Sequence, residues 1–219
     1  MYLTRLILNP RTRRVQSEVA DPYQMHRSLM RAFPQGVQEM DERVLFRLEA
    51  DPRTGNLTLL VQSHLEPDWS WLAEAGAKGY LLAIDEPNPW VKRFDPQFEI
   101  GQRLAFRLRA NPTVKREGKR LGLLREEEQM DWLSRKAEQG GFRLVSARAV
   151  AQGGVEGWIL VKPAGKDEPE RQRYQMSAVQ FDGMLEVCDP QRLQEAVANG
   201  IGSGKGFGFG LLSLAPLRE

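Results

Sequence analysis

Asp21-Pro22-Tyr23-Gln24-Met25-His26-Arg27-Ser28-Leu29-Met30-Arg31-Ala32-Phe33 reads as a helix with its own start signal. Asp21 can cap the first backbone N–H groups, and Pro22 suits the first helical position. At about 100° per residue, Met25, Leu29, Ala32 and Phe33 share one side, while Tyr23, His26, Arg27, Met30 and Arg31 share the other. Strand patterns flank this helix. Tyr2 to Asn9 alternates loosely and is rich in Leu and Ile, and Asn9-Pro10 ends it. Arg11 to Val19 reads as a basic loop. Arg43 to Glu49 alternates as a half-buried strand, Asp51 to Asn56 carries turn chemistry, and Leu57 to His64 completes a hairpin. Asp68 to Ala75 reads as a weak helix, Gly79 to Asp85 as a strand, and Pro87 to Pro96 as an irregular connection. Gln102 to Ala110 is an amphipathic strand, with Leu104, Phe106, Leu108 and Ala110 on one face and Arg103, Arg107 and Arg109 on the other. The order approaches β-α-β-β-(α)-β, the ferredoxin-like pattern.

Asn111-Pro112-Thr113 marks a boundary, which divides the chain into residues 1–112 and 113–219. Beyond it a strand is expected at Arg120 to Leu124. A helix follows from Glu126 to Gln139, stopped by Gly140-Gly141. Further strands are expected at Phe142 to Val150 and Gly157 to Pro163, with a polar hairpin tip from Ala164 to Arg173. Tyr174 to Phe181 and Met184 to Val187 read as strands joined by an Asp182-Gly183 turn. A helix from Asp189-Pro190 to Ala198 leads to a last strand at Phe207 to Ala215. The second half thus repeats the order of the first without repeating its sequence.

Composition narrows the function. Across 219 residues the hydrophobic content is 41% and the mean hydropathy −0.48, values ordinary for a soluble globular chain. No apolar run is long enough to span a membrane. The single cysteine, Cys188, excludes an internal disulfide and points to a reducing, cytoplasmic setting. Net charge is only +2, but arginine supplies 23 of the 31 basic residues, and its planar fork matches phosphate. Between Arg103 and Arg125 there are eight basic residues and one acid, Glu117, a footprint for a polyanion.

Gly200-Ile-Gly-Ser-Gly-Lys-Gly-Phe-Gly-Phe-Gly210 holds six glycines in eleven residues. Asn199 and Gly206 break a P-loop pattern, and no helix follows to make a dinucleotide fingerprint. Lys205 to Phe209 fits the first five positions of an RNA-recognition strand, from which Gly210 and Leu212 depart. Extended, this stretch would point Phe207, Phe209 and Leu211 into a core and leave a bare glycine face for close backbone approach. No Cys/His cluster announces a zinc site and no G-x-S-x-G elbow is present. Glu126-Glu127-Glu128 is a helix start, where negative charge suits the dipole. His26 is left as the best catalytic candidate. Its helix face either meets a phosphodiester or is a solvated face with a half-buried histidine at its boundary.

Several stretches together resemble one family. His26-Arg27, Arg107-Leu-Arg-Ala-Asn-Pro112 with Gly118-Lys-Arg120, Trp132-Leu133, Gly200-Ile-Gly-Ser-Gly-Lys and Gly210-Leu-Leu-Ser-Leu-Ala-Pro216 are similar to the CasE family, the CRISPR repeat-processing endoribonucleases of the type I-E Cascade complex. The resemblance runs nearly end to end. It implies an α+β chain of two tandem ferredoxin-like (RRM-like) domains. It implies cleavage of precursor CRISPR RNA 3′ of the repeat stem-loop, retention of the product and assembly with Cascade backbone subunits. Tyr23 and His26 would move protons, and Arg27 and Arg31 would hold the scissile phosphate. Arg107, Arg109, Lys115, Arg116, Lys119, Arg120, Arg135, Lys136, Gly202, Ser203, Gly204 and Lys205 would grip the RNA. RNA carries its own 2′-OH nucleophile, so neither metal nor cofactor is called for. The other reading is a structured-RNA-binding module of the same fold that does not cut.

Overall fold

The computed structural model describes residues 1–37, 42–161 and 168–217. Two four-stranded antiparallel sheets organise it. The first is built from β1 (Tyr2–Leu8), β2 (Leu45–Ala50), β3 (Leu57–Ser63) and β4 (Trp90–Arg93), in the order β2-β3-β1-β4. The second is built from β5 (Arg103–Ala110), β8 (Phe142–Val161), β9 (Glu170–Val187) and β10 (Leu212–Pro216), in the order β10-β5-β9-β8. Numbered within each sheet, both orders are the same, 4-1-3-2 with its direction reversed. Between β5 and β8 come a separate two-stranded hairpin, β6 (Thr113–Arg116) with β7 (Lys119–Gly122), and helix α3 (Glu126–Gln139). Helix α4 (Pro190–Asn199) joins β9 to the glycine stretch.

The organising helix forms as its sequence directs. It spans α2 (Pro22–Met30), with Asp21 accepting from the Tyr23 N–H and Pro22 in the first turn. Met25, Leu29, Ala32 and Phe33 are buried with Leu6, Leu8, Phe46, Leu59 and Val61 of the first sheet. Ahead of it, the expected basic loop is helix α1 (Arg13–Ala20), capped by Thr12. Its inward face is Val15 plus a carboxylate, Glu18, which accepts from Ser28 Oγ (2.6 Å), Tyr80 Oη (2.6 Å) and Arg14 Nε (3.0 Å). Hydrophobic periodicity cannot register a helix docked through a buried acid.

Other expectations are corrected by pairing. The Pro-rich connection contains β4, a four-residue edge strand that exists because its backbone pairs with β1 from Tyr2↔Arg93 to Arg5↔Trp90. Gly79 to Asp85 contributes a single bridge, Leu8↔Leu81, rather than a strand. The weak helix becomes two short 3-10 turns, Ser70–Ala73 and Ala75–Ala77. Residues 103–110 do alternate in burial, but they pair with β9 and β10 and open the second sheet instead of closing the first. Sheet membership therefore divides the chain between Arg93 and Arg103, not after Pro112.

The strands on either side of residues 151–156 are one strand, β8, interrupted by two register shifts. Asp182-Gly183 is no turn either: β9 runs straight through it. Asp182 is held by Arg107 on the neighbouring strand. A Cβ on Gly183 would lie 2.1 Å from the Ser146 carbonyl oxygen, so this glycine lets the shifted β8 backbone pass. The expected hairpin tip lies in part, at 164–167, outside the described residues.

Candidate functional site

The glycine stretch is not extended. Gly204 and Gly208 take left-handed backbone (φ 82° and 78°) and bracket a 3-10 turn, Lys205–Phe207, so β10 begins only at Leu212. The expected strand fails because alternate glycines here supply turns rather than a flat bare face. The turn sits on α2, and each of its three residues meets it differently. Phe207 stacks on Tyr23 with ring centroids 5.7 Å apart. Gly206 approaches His26 so closely that a Cβ there would lie 3.4 Å from the imidazole Cδ2 and 3.5 Å from Nε2. Lys205 lines the same cleft as Tyr23 and His26.

This cleft, of about 330 Å³, is bounded by Tyr23, His26, Arg43, Val44, Glu42, Lys205 and Gly206, among others. The His26 ring lies nearly parallel to Phe46 of β2, centroids 6.1 Å apart and planes 12° apart. Its Nδ1 is buried and finds no hydrogen-bond partner among the described residues. Burial lowers its pKa below the ordinary 6.5, so the imidazole is neutral near pH 7. Glu42, the carboxylate among these residues, is tied to the backbone N–H groups of His64 (2.7 Å) and Leu65 (2.9 Å). Lys205 is half-buried, and burial first, then Arg43 and Lys136, lowers its pKa. Positive charge thus converges on the imidazole, which favours an anionic occupant.

A second groove, of about 620 Å³, adjoins the turn. Ser203, Gly204 and Phe207 line it from the glycine stretch, Arg120 and Gly122 from β7, and Gln175, Met176 and Ser177 from β9. Lys115, Arg116, Lys119 and Arg120 are exposed on the β6–β7 hairpin, where Lys115 faces Arg120 and Arg116 faces Lys119. Four cations on so short a ribbon form a finger suited to a phosphate backbone.

Other expected residues are placed elsewhere. Arg27 and Arg31 do not line the His26 cleft itself; they line one recess with Arg14, Gln24 and Ser28 and another with Met30 and Val37, which also border that cleft. Arg31 pairs with Glu74 at 2.6 Å and lies over the Trp71 ring at 4.8 Å. Arg107 bridges Asp182 (2.6 Å) and Glu49 (3.4 Å), joining the two sheets. Arg109 donates to Gln152 and covers the Phe209 ring at 4.8 Å. Gly202 gives room to Trp132, Lys136 donates to Gln139, and Arg135 is exposed on α3. Sequence reasoning missed Arg43, which looked like the polar half of an alternating strand, and Phe46, which looked like plain core. It also missed Arg47. That residue is buried at 2% exposure and donates to Glu49, the Leu211 carbonyl and Ser213 Oγ, so it pins the exit of the glycine stretch.

A family model described as CRISPR associated protein matches residues 1–216. The chain is also 40% identical over 220 residues to the CRISPR-associated endoribonuclease Cse3 of Thermus thermophilus, spanning 99% of this chain and all of that protein. The chain belongs to the CasE family of CRISPR-associated proteins. The Cascade subunit CasE of Escherichia coli is 30% identical over 238 residues, again spanning 99% of this chain and all of that protein. Among solved structures, Cse3 bound to a 19-nucleotide RNA superposes with a TM-score of 0.79 at 39% identity, covering 99% of this chain and all of that one. Thermus thermophilus Cse3 bound to an RNA representing a pre-cleavage complex gives 0.78 at 38%, covering 98% of each chain. No helix among the described residues is long and apolar enough to cross a membrane.

Proposed function

We propose that this protein is an endoribonuclease that cuts precursor CRISPR RNA 3′ of the repeat stem-loop, keeps the product, and works in the cytoplasm as a subunit of a Cascade complex. The observation that carries the reading is the placement of the buried His26 imidazole beside Tyr23 in a cleft bordered by Lys205 and Arg43. The 2′-oxygen attacks phosphorus as the bond to the 5′-oxygen breaks, leaving a 2′,3′-cyclic phosphate and a 5′-OH. Two protons must move, one from the 2′-OH and one to the leaving oxygen, and Tyr23 and His26 move them. The neutral imidazole is the group ready to accept. Lys205 and Arg43 offset the charge that builds on the phosphorane. The hairpin cations and the groove hold the stem.

A labelled repeat RNA with 2′-deoxyribose at the cleavage site tests the chemistry. Incubated with the protein in EDTA, the deoxy RNA should bind and stay whole while the all-ribose RNA is cut. Cleavage of the deoxy RNA would refute 2′-OH attack. Binding of both RNAs with neither cut would leave a binding module.

A further inference from the structure

Tyr174 lies where β9 has passed beyond its pairing with β5, which ends at Val179. Its hydroxyl donates to Asp21 Oδ1 at 2.7 Å across 153 residues of chain. The same oxygen accepts from the Tyr23 N–H at 3.1 Å and caps α2. Burial, with the Asp21 carboxylate beside it, pushes the Tyr174 phenol pKa up, so the group remains a donor throughout the neutral range. The Tyr174 ring also lies 4.5 Å from Phe207, the residue that stacks on Tyr23.

A separate observation shows that this place is built. Gly157 stands directly opposite Tyr174 in the ribbon. A Cβ on Gly157 would lie 2.5 Å from Tyr174 Oη and 2.7 Å from Cζ, so the phenol lies across the glycine. Gly157 is not among the residues with positive φ, so here the space and not the backbone excludes a side chain. The residues that follow Tyr174, namely Gln175, Met176 and Ser177, line the groove together with Phe207. One continuous set of contacts therefore runs from the groove to the capped start of the helix that carries Tyr23 and His26.

We propose that Tyr174, seated over Gly157, is a positioning residue for cleavage: it holds the start of α2 so that Tyr23 and His26 face the phosphate of an RNA lying in the groove. The proposal rests on the cleavage reading above. Alignment of reacting groups is sensitive to small displacements, of which about 1 Å can cost about a hundred-fold in rate.

Tyr174→Phe keeps the ring and removes the donor. At saturating repeat RNA, its single-turnover cleavage rate should fall about ten-fold while Kd stays within about two-fold of the parent. Gly157→Ala should give the same separation of rate from affinity by displacing the phenol. The double variant should lose no more than the worse single variant, because both act on one contact. Parent protein that binds repeat RNA and never cuts it defeats the cleavage reading and this proposal with it. Parent protein that cuts, with both variants cutting equally fast, overturns the positioning role alone. Equal falls in rate and affinity also overturn it, since Tyr174 would then be an RNA contact.

Discussion

Helices α2 and α3 occupy the same place in their domains, between the first and second strands of a sheet with one shared strand order. Each buries an apolar side, α2 through Met25 and Leu29 and α3 through Trp132 and Leu133. Their polar sides differ in what they meet. That of α2 meets the turn Lys205–Phe207 from the other domain, which closes a cleft around His26. That of α3 leaves Arg135 exposed. A shared fold thus places the backbone, while the element opposite a helix decides whether its polar face is enclosed in a cleft or left to solvent. In this protein the first domain brings Tyr23, His26 and Arg43 to the cleft. The second brings Lys205 and the basic hairpin.

This division of labour can be broken at the chemistry first. His26→Ala should slow cleavage by about 10²–10⁴-fold. Repeat-RNA affinity, measured by gel shift, should change little, because the hairpin grip remains. Near-normal cleavage by the variant would move the chemistry off α2.

The junction comes next. Arg47→Ala removes a buried guanidinium from Glu49, Leu211 and Ser213, and should cost about 3 kcal/mol of stability in denaturant titration. Arg107→Ala should cost less, since that side chain is 41% exposed. An Arg47 variant as stable as the parent would mean that the domains do not depend on this bridge.

The grip is third. Changing Lys115, Arg116, Lys119 and Arg120 together to Ala should leave the melting temperature unchanged, as all four lie on the exposed hairpin. RNA affinity should fall, and the slope of log affinity against log salt should become shallower by about three. An unchanged slope would remove the hairpin from the interface.

The smallest effect concerns pH. The folded pKa of His26 lies below its ordinary 6.5 because burial disfavours the charged form. Between the folded and unfolded values the unfolded chain binds more protons, so stability rises with pH through that window and is lost as pH falls. Relative to His26→Gln, the parent should lose stability as pH drops below 6.5, and chemical denaturation at a series of pH values reads the difference. His64 is common to both proteins and cancels. A constant difference would show His26 to be as well solvated folded as unfolded.

Much of the fold was legible because its signals are local. Asp21 and Pro22 announced α2, and alternating burial announced β5. The partner of β5 was not legible, since alternation shows that a strand has two faces but not which sheet receives it. The buried carboxylate of α1 and the solvent-exposed side chains of β4 left no alternating apolar pattern to read. At the site, Tyr23 and His26 were correctly read as sharing a face of α2. Arg27 and Arg31 were assigned to it too, but they lie about 100° and about 140° around the helix from His26. That is enough to put them in neighbouring recesses, one of which shares Met30 and Val37 with the His26 cleft.

The sequence by itself determined where α2 starts, which of its sides is buried, and the family to which the chain belongs. Caps and periodicity act within one or two turns, so a linear reading captures them. The tertiary structure alone decided which cations reach His26, that Arg107 bridges sheets, and that Tyr174 reaches Asp21 across 153 residues. Those contacts join segments far apart in the chain, and only the packing of one domain against the other brings them within hydrogen-bonding range.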